Sequence, residues 1–308
     1  MDDSDAAPPV VRVICGPTAA GKTYAAALCA RFAEVAVISA DSRQVYRGFD
    51  VGTAKPTVRE RLAAPHYGID VLDPTERASA AWWATEADGW IRGATAQGRM
   101  PIVVGGTGLY LRALFGELFD EPPMDPERRR ALQRELEAMS VQTLRRWVEV
   151  LDPPRAALGR TQLLRAIEVA LLTGRRVSEL QRERRTVPRW RARYLVVDPG
   201  PELQDHIADR ADFMLSTGWQ EEVRALMTTV PADAPAWNAS GYRVVRELVE
   251  GRISFGEARE RVIIETRQYA KRQRTWFRHQ LGGADVTRLD VHAVGFEQAL
   301  RAWWEGSA

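Results

Sequence analysis

The sequence predicts an α/β fold, a parallel sheet flanked by helices and interrupted by a helical insertion. Three observations carry that prediction. An apolar run, Val13-Ile14-Cys15, leads into Gly16-Pro17-Thr18-Ala19-Ala20-Gly21-Lys22-Thr23 and then into an alanine-rich helical stretch. Further apolar runs alternate with helical patterns, as in successive βα units. From Pro122 to about Trp190 the pattern becomes charged, helical and free of strand signals.

The first observation also carries chemistry. G-x-x-x-x-G-K-T between a strand and a helix is a phosphate-binding loop in its required context. Gly16 and Gly21 let the backbone curl so that successive N–H groups point at one anion. The following helix adds the partial positive charge of its N-terminus. Lys22 reaches the outer phosphates, and the Thr23 hydroxyl is the candidate ligand for Mg²⁺. The loop specifies a phosphorylated ligand without specifying ATP. The core is therefore read as a P-loop NTPase-like parallel sheet flanked by helices, with a helical insertion domain.

The elements run in order along the chain. Residues 10–15 form the first strand and 22–32 its helix; Val35–Ser39 is a second buried strand, ending at Asp41. Residues 80–97 read as a helix, with Trp82, Trp83, Trp90 and Ile91 at helical spacing, a pattern of core packing. Pro101–Val104 is a third strand, and Gly105-Gly106-Thr107-Gly108 its turn. Strand character returns at Tyr194–Asp198, followed by helices at about 202–229, 238–249 and 256–281, then a strand and a helix within 286–308. The expected organisation is a disordered tail over 1–9, a core from 10–121 and 192–308, and an insertion over 122–191. Ligands of such sheets bind beyond the carboxyl ends of the strands. The phosphate loop, Asp41-Ser42-Arg43-Gln44 and Gly105-Gly106-Thr107 are therefore expected to share one cleft.

Composition narrows the class. With 308 residues and 45% apolar content, the chain has enough material for a full core. No apolar run approaches the roughly 20 residues of a membrane span, and the N-terminus lacks a signal-peptide pattern, so a cytoplasmic location is expected. Cys15 and Cys29 read as small core residues. The net charge is only +2, but the basic residues are clustered. Arg175, Arg176, Arg182, Arg184, Arg185, Arg189, Arg191 and Arg193 fall in one stretch. Arg267, Lys271, Arg272, Arg274 and Arg278 fall in another, beside Trp276 and Phe277. Guanidinium groups interleaved with aromatics suit RNA phosphates and bases; a solvated helix face suits the same pattern.

A kinase would carry an acid at the end of the strand that runs through Val104, and Gly105-Gly106-Thr107 has none. The available carboxylate is Asp41, which suits proton transfer or metal binding through water; capping a helix is its structural alternative.

These residues fall within a longer series. Asp41-Ser42-Arg43-Gln44-Val45-Tyr46, Asp50-Val51-Gly52-Thr53-Ala54-Lys55-Pro56 and Gly105-Gly106-Thr107-Gly108-Leu109-Tyr110 come after the loop. Then come Arg210-x-x-x-Met214, Gly218-Trp219-x-Glu221-Glu222-Val223, Gly241-Tyr242-Arg243 and Thr266-Arg267-Gln268-Tyr269-Ala270-Lys271-Arg272-Gln273-x-Thr275-Trp276-Phe277-Arg278. The series, from about residue 11 to 280, resembles the bacterial tRNA dimethylallyltransferases, also called tRNA isopentenyltransferases. The resemblance implies transfer of a dimethylallyl group from dimethylallyl diphosphate to N6 of the adenosine 3′-adjacent to certain tRNA anticodons. It implies that Asp41 accepts the N6 proton, that Thr107 aligns the adenine and that Arg210 holds the diphosphate beside Lys22 and Mg²⁺. It implies extrusion of the base from its stack and a stem-loop gripped by the insertion and the C-terminal helix. The RNA-contacting set is then Asp41, Ser42, Arg43, Gln44, Thr107, Arg129, Gln162, Arg165, Lys271, Arg272, Gln273, Arg274, Trp276 and Arg278. A monomer without membrane contact is expected.

Two departures stand out. Ala20 occupies a position where the family commonly has Ser, and Gln162 stands where it has Arg, although Arg160 is near. Three other readings share some of these residues: a small-molecule kinase, an enzyme that prenylates free adenine nucleotide, and an RNA-binding protein with a relict phosphate loop. The basic-aromatic segment 271–278 favours a large RNA acceptor over a free nucleotide.

Overall fold

The computed structural model describes residues 8–116, 122–183 and 188–306. The expected N-terminal tail up to residue 7, together with Arg184 and Arg185, lies outside the described residues. The chain divides after Phe115 and again after Pro188 into two compact units.

The first unit is the α/β core. In chain order it holds β1 (Val10–Cys15), α1 (Lys22–Cys29), β2 (Val35–Ser39), α2 (Val58–Ala63), β3 (His66–Tyr67), α3 (Ala80–Ala96), β4 (Met100–Gly105) and α4 (Gly108–Phe115). All strands pair in parallel, in the order β3-β2-β4-β1-β5-β6, where β5 is Arg191–Val197 and β6 is Val286–Leu289. β2 is buried along its whole length, because helices cover both faces of such a sheet. The strand at 101–104 is fourth in the chain rather than third. The two residues of β3 are too short to show any alternation of apolar and polar side chains.

The second unit is helical: α5 (Pro126–Glu137), α6 (Val141–Leu151), α7 (Arg160–Thr173) and α8 (Val177–Glu183). Leu136, Leu144, Val148, Leu163 and Ile167 form its core. Ser140 caps α6 through the Thr143 N–H, and Arg160 donates to the Met139 and Glu137 carbonyls at 2.7 and 2.8 Å, closing the end of α5. The Arg160 guanidinium, two residues before position 162, is thereby anchored on the α5 end.

Back in the first unit, Asp88 of α3 fastens the returning chain, accepting from Arg189 at 2.7 Å and from the Trp190 indole at 2.9 Å. The expected helix over 202–229 is two: α9 (Leu203–Ser216) and α10 (Trp219–Thr229), separated where Gly218 adopts φ 111°. Next are α11 (Tyr242–Val249), α12 (Phe255–Gln280) and α13 (Phe296–Glu305). The C-terminal segment is built into the core: Arg12 of β1 donates to the Trp304 carbonyl at 2.6 Å and stacks over its ring. The α3 tryptophans pack as expected, with Trp83 fully buried against Tyr110 and its indole donating to Ser39 O at 2.9 Å. Cys15 and Cys29 are buried and free, and burial pushes both thiols up to about 12.

The ordered motifs of the sequence meet at one corner. Glu222 of α10 accepts the backbone N–H groups of Asp50 and Val51 at 2.9 and 2.6 Å and the Tyr242 hydroxyl at 2.6 Å. Buried Lys55 donates to Tyr46 O and to Asp50, both at 2.6 Å, and to Asp70.

At the other end of β4, a Cβ on Gly105 would lie 2.2 Å from the Ala40 carbonyl oxygen. Backbone cannot withdraw as a flexible side chain can. Gly105→Ala is expected to cost at least about 3 kcal/mol in urea unfolding; an unchanged midpoint would show that the Ala40 chain can retreat.

Candidate active site

The sheet order reverses at β1, with β4 on one side and β5 on the other. The crevice at their carboxyl ends is where such folds place ligands. Three loops converge there. The Thr107 N–H donates to Ala40 O at 3.1 Å, and the Ser42 N–H donates to the Thr107 hydroxyl at 3.0 Å. Asp41 therefore sits directly beside Thr107. Its Oδ1 accepts the Arg43 N–H at 2.8 Å, so it closes a tight turn rather than capping a helix.

The phosphate loop has the backbone its motif demands. Gly16 adopts φ 151°, and a Cβ there would lie 2.1 Å from Val197 O. Gly21 adopts φ 86°, and Ala19 is also left-handed at φ 62°. Ala20, where a hydroxyl is absent relative to the family pattern, is buried and packs with the core. Lys22 donates to Gly16 O at 3.1 Å and Pro17 O at 2.7 Å. Burial lowers its ammonium to about 8, with Arg210 pushing the same way and Asp41 opposing. Arg210 of α9 donates to the Thr18 hydroxyl at 3.2 Å; burial lowers its guanidinium and Asp41 opposes that shift.

A cavity of about 490 Å³ opens beside these groups, within the range of small-molecule sites. Its lining is mixed: Thr18, Asp41, Arg43, Arg210, Arg243, Glu265, Tyr269 and Arg272 are polar, and Ile207, Ala211, Met214, Trp219, Trp237 and Val262 give it an apolar wall. Burial, followed by Asp41, pushes the Tyr269 phenol up to about 12. Tyr269 and the apolar wall are not singled out by the sequence as site residues. Helical spacing does mark them: Ile207, Arg210 and Met214 share one face of α9, and Tyr269 and Arg272 one face of α12.

The RNA-side residues separate into two groups. Arg43 and Arg272 line the cavity, while Lys271 and Arg278 are exposed. Others are engaged inside the core. Gln44 donates to Thr53 O and Ala54 O, both at 3.2 Å. Gln273 is buried against the phosphate loop. Arg274 binds Asp198 and the Gly200 carbonyl. Trp276 is half-buried over Gly108. In the helical unit, Arg129 and Arg165 share the buried carboxylate of Glu168, each at 3.2 Å, and Gln162 is exposed. The arginine-rich stretch is largely paired: Arg175 with Glu183, Arg176 with Glu179, Arg189 with Asp88 and Arg191 with Asp285.

Among the described residues, no three His, Cys, Asp or Glu side chains cluster as a metal site. The exposed Thr23 hydroxyl in the first turn of α1 fits a different arrangement. Thr23 is the residue that would offer Mg²⁺ a hydroxyl, the other ligands then coming from water and phosphate oxygens.

Fold and site together define an α/β protein whose phosphate-loop sequence lies beside a carboxylate and a cavity of mixed lining. The IPP transferase family profile matches residues 44–280, and an isopentenyl transferase profile matches residues 9–64. A tRNA dimethylallyltransferase of Thermomicrobium roseum is 40% identical over 300 residues, 95% of this chain and 89% of that protein. One from Deinococcus radiodurans is 38% identical, covering 98% of each. Among solved structures, a tRNA isopentenylpyrophosphate transferase of Staphylococcus epidermidis superposes with TM-score 0.68 at 31% identity, covering 95% of this chain and 97% of that one. A eukaryotic dimethylallyltransferase acting on tRNA superposes with TM-score 0.77 at 25% identity, over 96% of this chain and 77% of that one. The chain belongs to the IPP transferase family.

The Lys22 shift sets a pH dependence. Anion binding needs the charged amine, and burial favours the neutral one. Affinity for a diphosphate monoester, itself fully ionised in this range, is expected to hold up to about pH 8 and to weaken above it. Calorimetric titration across pH 7–10 checks this. Lys22→Arg, which stays charged, should remove the break.

Proposed function

We propose that this protein transfers a dimethylallyl group from dimethylallyl diphosphate to N6 of the adenosine 3′-adjacent to the anticodon of tRNAs, releasing diphosphate. The observation that carries the reading is that Asp41, neighbour to Thr107, lines a cavity together with Arg210 and with Thr18 of the phosphate loop. The adenine amine is a poor nucleophile. Orientation and removal of its proton are therefore what the protein must supply.

In this reading the Thr107 hydroxyl orients the base, and Asp41 accepts the N6 proton as the amine attacks the allylic carbon. The C–O bond to diphosphate breaks, and the leaving charge falls on Lys22, Arg210 and the loop N–H groups. Mg²⁺, held at Thr23, would add positive charge at the same oxygens. The apolar wall of Ile207, Ala211, Met214 and Val262 excludes water from a reactive allylic centre. Arg43, Arg272, Lys271 and Arg278 on the core, with Arg129 and Arg165 on the helical unit, are the candidate RNA contacts. A cytoplasmic monomer is part of the proposal; among the described residues no helix is long and apolar enough to cross a membrane.

The test offers labelled dimethylallyl diphosphate and Mg²⁺ with unmodified tRNA, AMP and ATP in parallel. Label is expected in tRNA alone; label in AMP or ATP would favour a nucleotide-prenylating enzyme. Asp41→Asn is expected to slow transfer by about 10²–10⁴-fold, the usual worth of a general base, with tRNA affinity within a few fold. A large loss of binding would make Asp41 a recognition residue instead.

A further inference from the structure

The buried amide of Gln273 belongs to neither the RNA surface nor the apolar core. It lies in α12 at 6% exposure. Its Oε1 accepts the Thr18 N–H at 2.8 Å, and its Nε2 donates to Gly106 O at 2.9 Å. One side chain thus spans the loop after β1 and the turn after β4. Gly106 fits this contact closely, since a Cβ there would lie 2.2 Å from the Gln273 nitrogen. The other polar group of Thr18, its hydroxyl, accepts from Arg210.

The chemistry of the amide suits that place. A phosphate loop gathers N–H dipoles that repel one another until an anion arrives. A neutral acceptor satisfies one of them without putting negative charge where the diphosphate binds. The same amide donates to a carbonyl that would otherwise lose water without gaining a partner. A carboxylate at this position would keep the first bond, lose the second and repel the ligand.

We infer that Gln273 is a positioning residue for the diphosphate. It holds the first half of the phosphate loop at a fixed spacing from the Gly106-Thr107 turn, so that diphosphate and acceptor base keep their separation. Because the Thr18 N–H is occupied, the diphosphate takes its backbone donors from Ala19 onward. The inference rests on the proposed function for the identity of its ligand and acceptor.

The test compares the full-length protein with Gln273→Leu and Gln273→Glu. It measures the KM for dimethylallyl diphosphate, calorimetric affinity for inorganic diphosphate, and tRNA binding. Gln273→Leu is expected to weaken both diphosphate constants about tenfold together, Gln273→Glu to weaken them more, and tRNA affinity to stay within about twofold. Unchanged diphosphate constants with weakened tRNA binding would overturn the inference and return Gln273 to the RNA surface. All three constants and kcat unmoved would overturn it as well. Should the leucine variant fail to fold, the near-isosteric glutamate variant carries the test alone. If the wild-type protein transfers nothing to tRNA, the proposed function fails; the calorimetric comparison still decides the positioning role.

Discussion

Two cations held half-buried beside one carboxylate form the constraint on which the rest of this structure depends. Lys22 and Arg210 are both depressed by burial, and Asp41 is the acid that opposes the shift at each. Such a cluster carries surplus positive charge in a place with little water, which is costly unless an anion completes it. Lys22 donates to the carbonyls of Gly16 and Pro17. Surplus positive charge at the loop suits an anion, and the apolar side chains among the cavity lining, such as Ile207, Met214 and Val262, suit a ligand that is partly hydrocarbon.

Holding that cluster requires parts that are distant in sequence to share one edge of the sheet. β1 supplies the loop, the segment after β2 supplies Asp41, the turn after β4 supplies Thr107, and α9 supplies Arg210. Each approach is close enough that side chains are excluded. Gly16 abuts Val197, Gly105 abuts Ala40, and Gly52 abuts Trp219 and Tyr242. Gly16, Gly52 and Gly105 are therefore where one backbone or ring passes against another, and Glu222 and Lys55 tie the intervening loop to the same frame.

Much of this is legible in the chain. The phosphate loop, the strand boundaries of the core, Asp41 and Thr107 can be read because each depends on local spacing within a βα unit. The family series extends that reading to Arg210. The features that escape it are set by tertiary contact. β3 is too short to carry a pattern, and Tyr269 acquires its place only when α12 lies over the carboxyl edge. The arginine-rich stretch has partners that the sequence shows only in part: Arg175 and Arg176 pair with nearby Glu183 and Glu179, whereas Arg189 and Arg191 reach the distant Asp88 and Asp285. Gln273, Arg274 and Trp276 group with the RNA-facing residues in the sequence because composition does not distinguish the two sides of a basic helix.

α12 resolves that ambiguity by period. Tyr269, Arg272, Gln273 and Trp276 fall at intervals of three and four, so they share one face. Along it, Tyr269 and Arg272 border the cavity, Gln273 grips the phosphate loop, and Trp276 covers Gly108 at the start of α4. Arg274 reaches aside to Asp198 beyond β5. This helix therefore contacts the segments that lead out of β1, β4 and β5, while Lys271, Arg278 and His279 remain exposed on it. A helix anchored in this way presents its outer charges from a fixed base, because its inner face has no freedom to slide. Gln273, Arg274 and Trp276 anchor the helix that carries Lys271, Arg278 and His279 outward. A ligand engaged by the outer side chains thus meets a helix whose distance from the phosphate loop is already set.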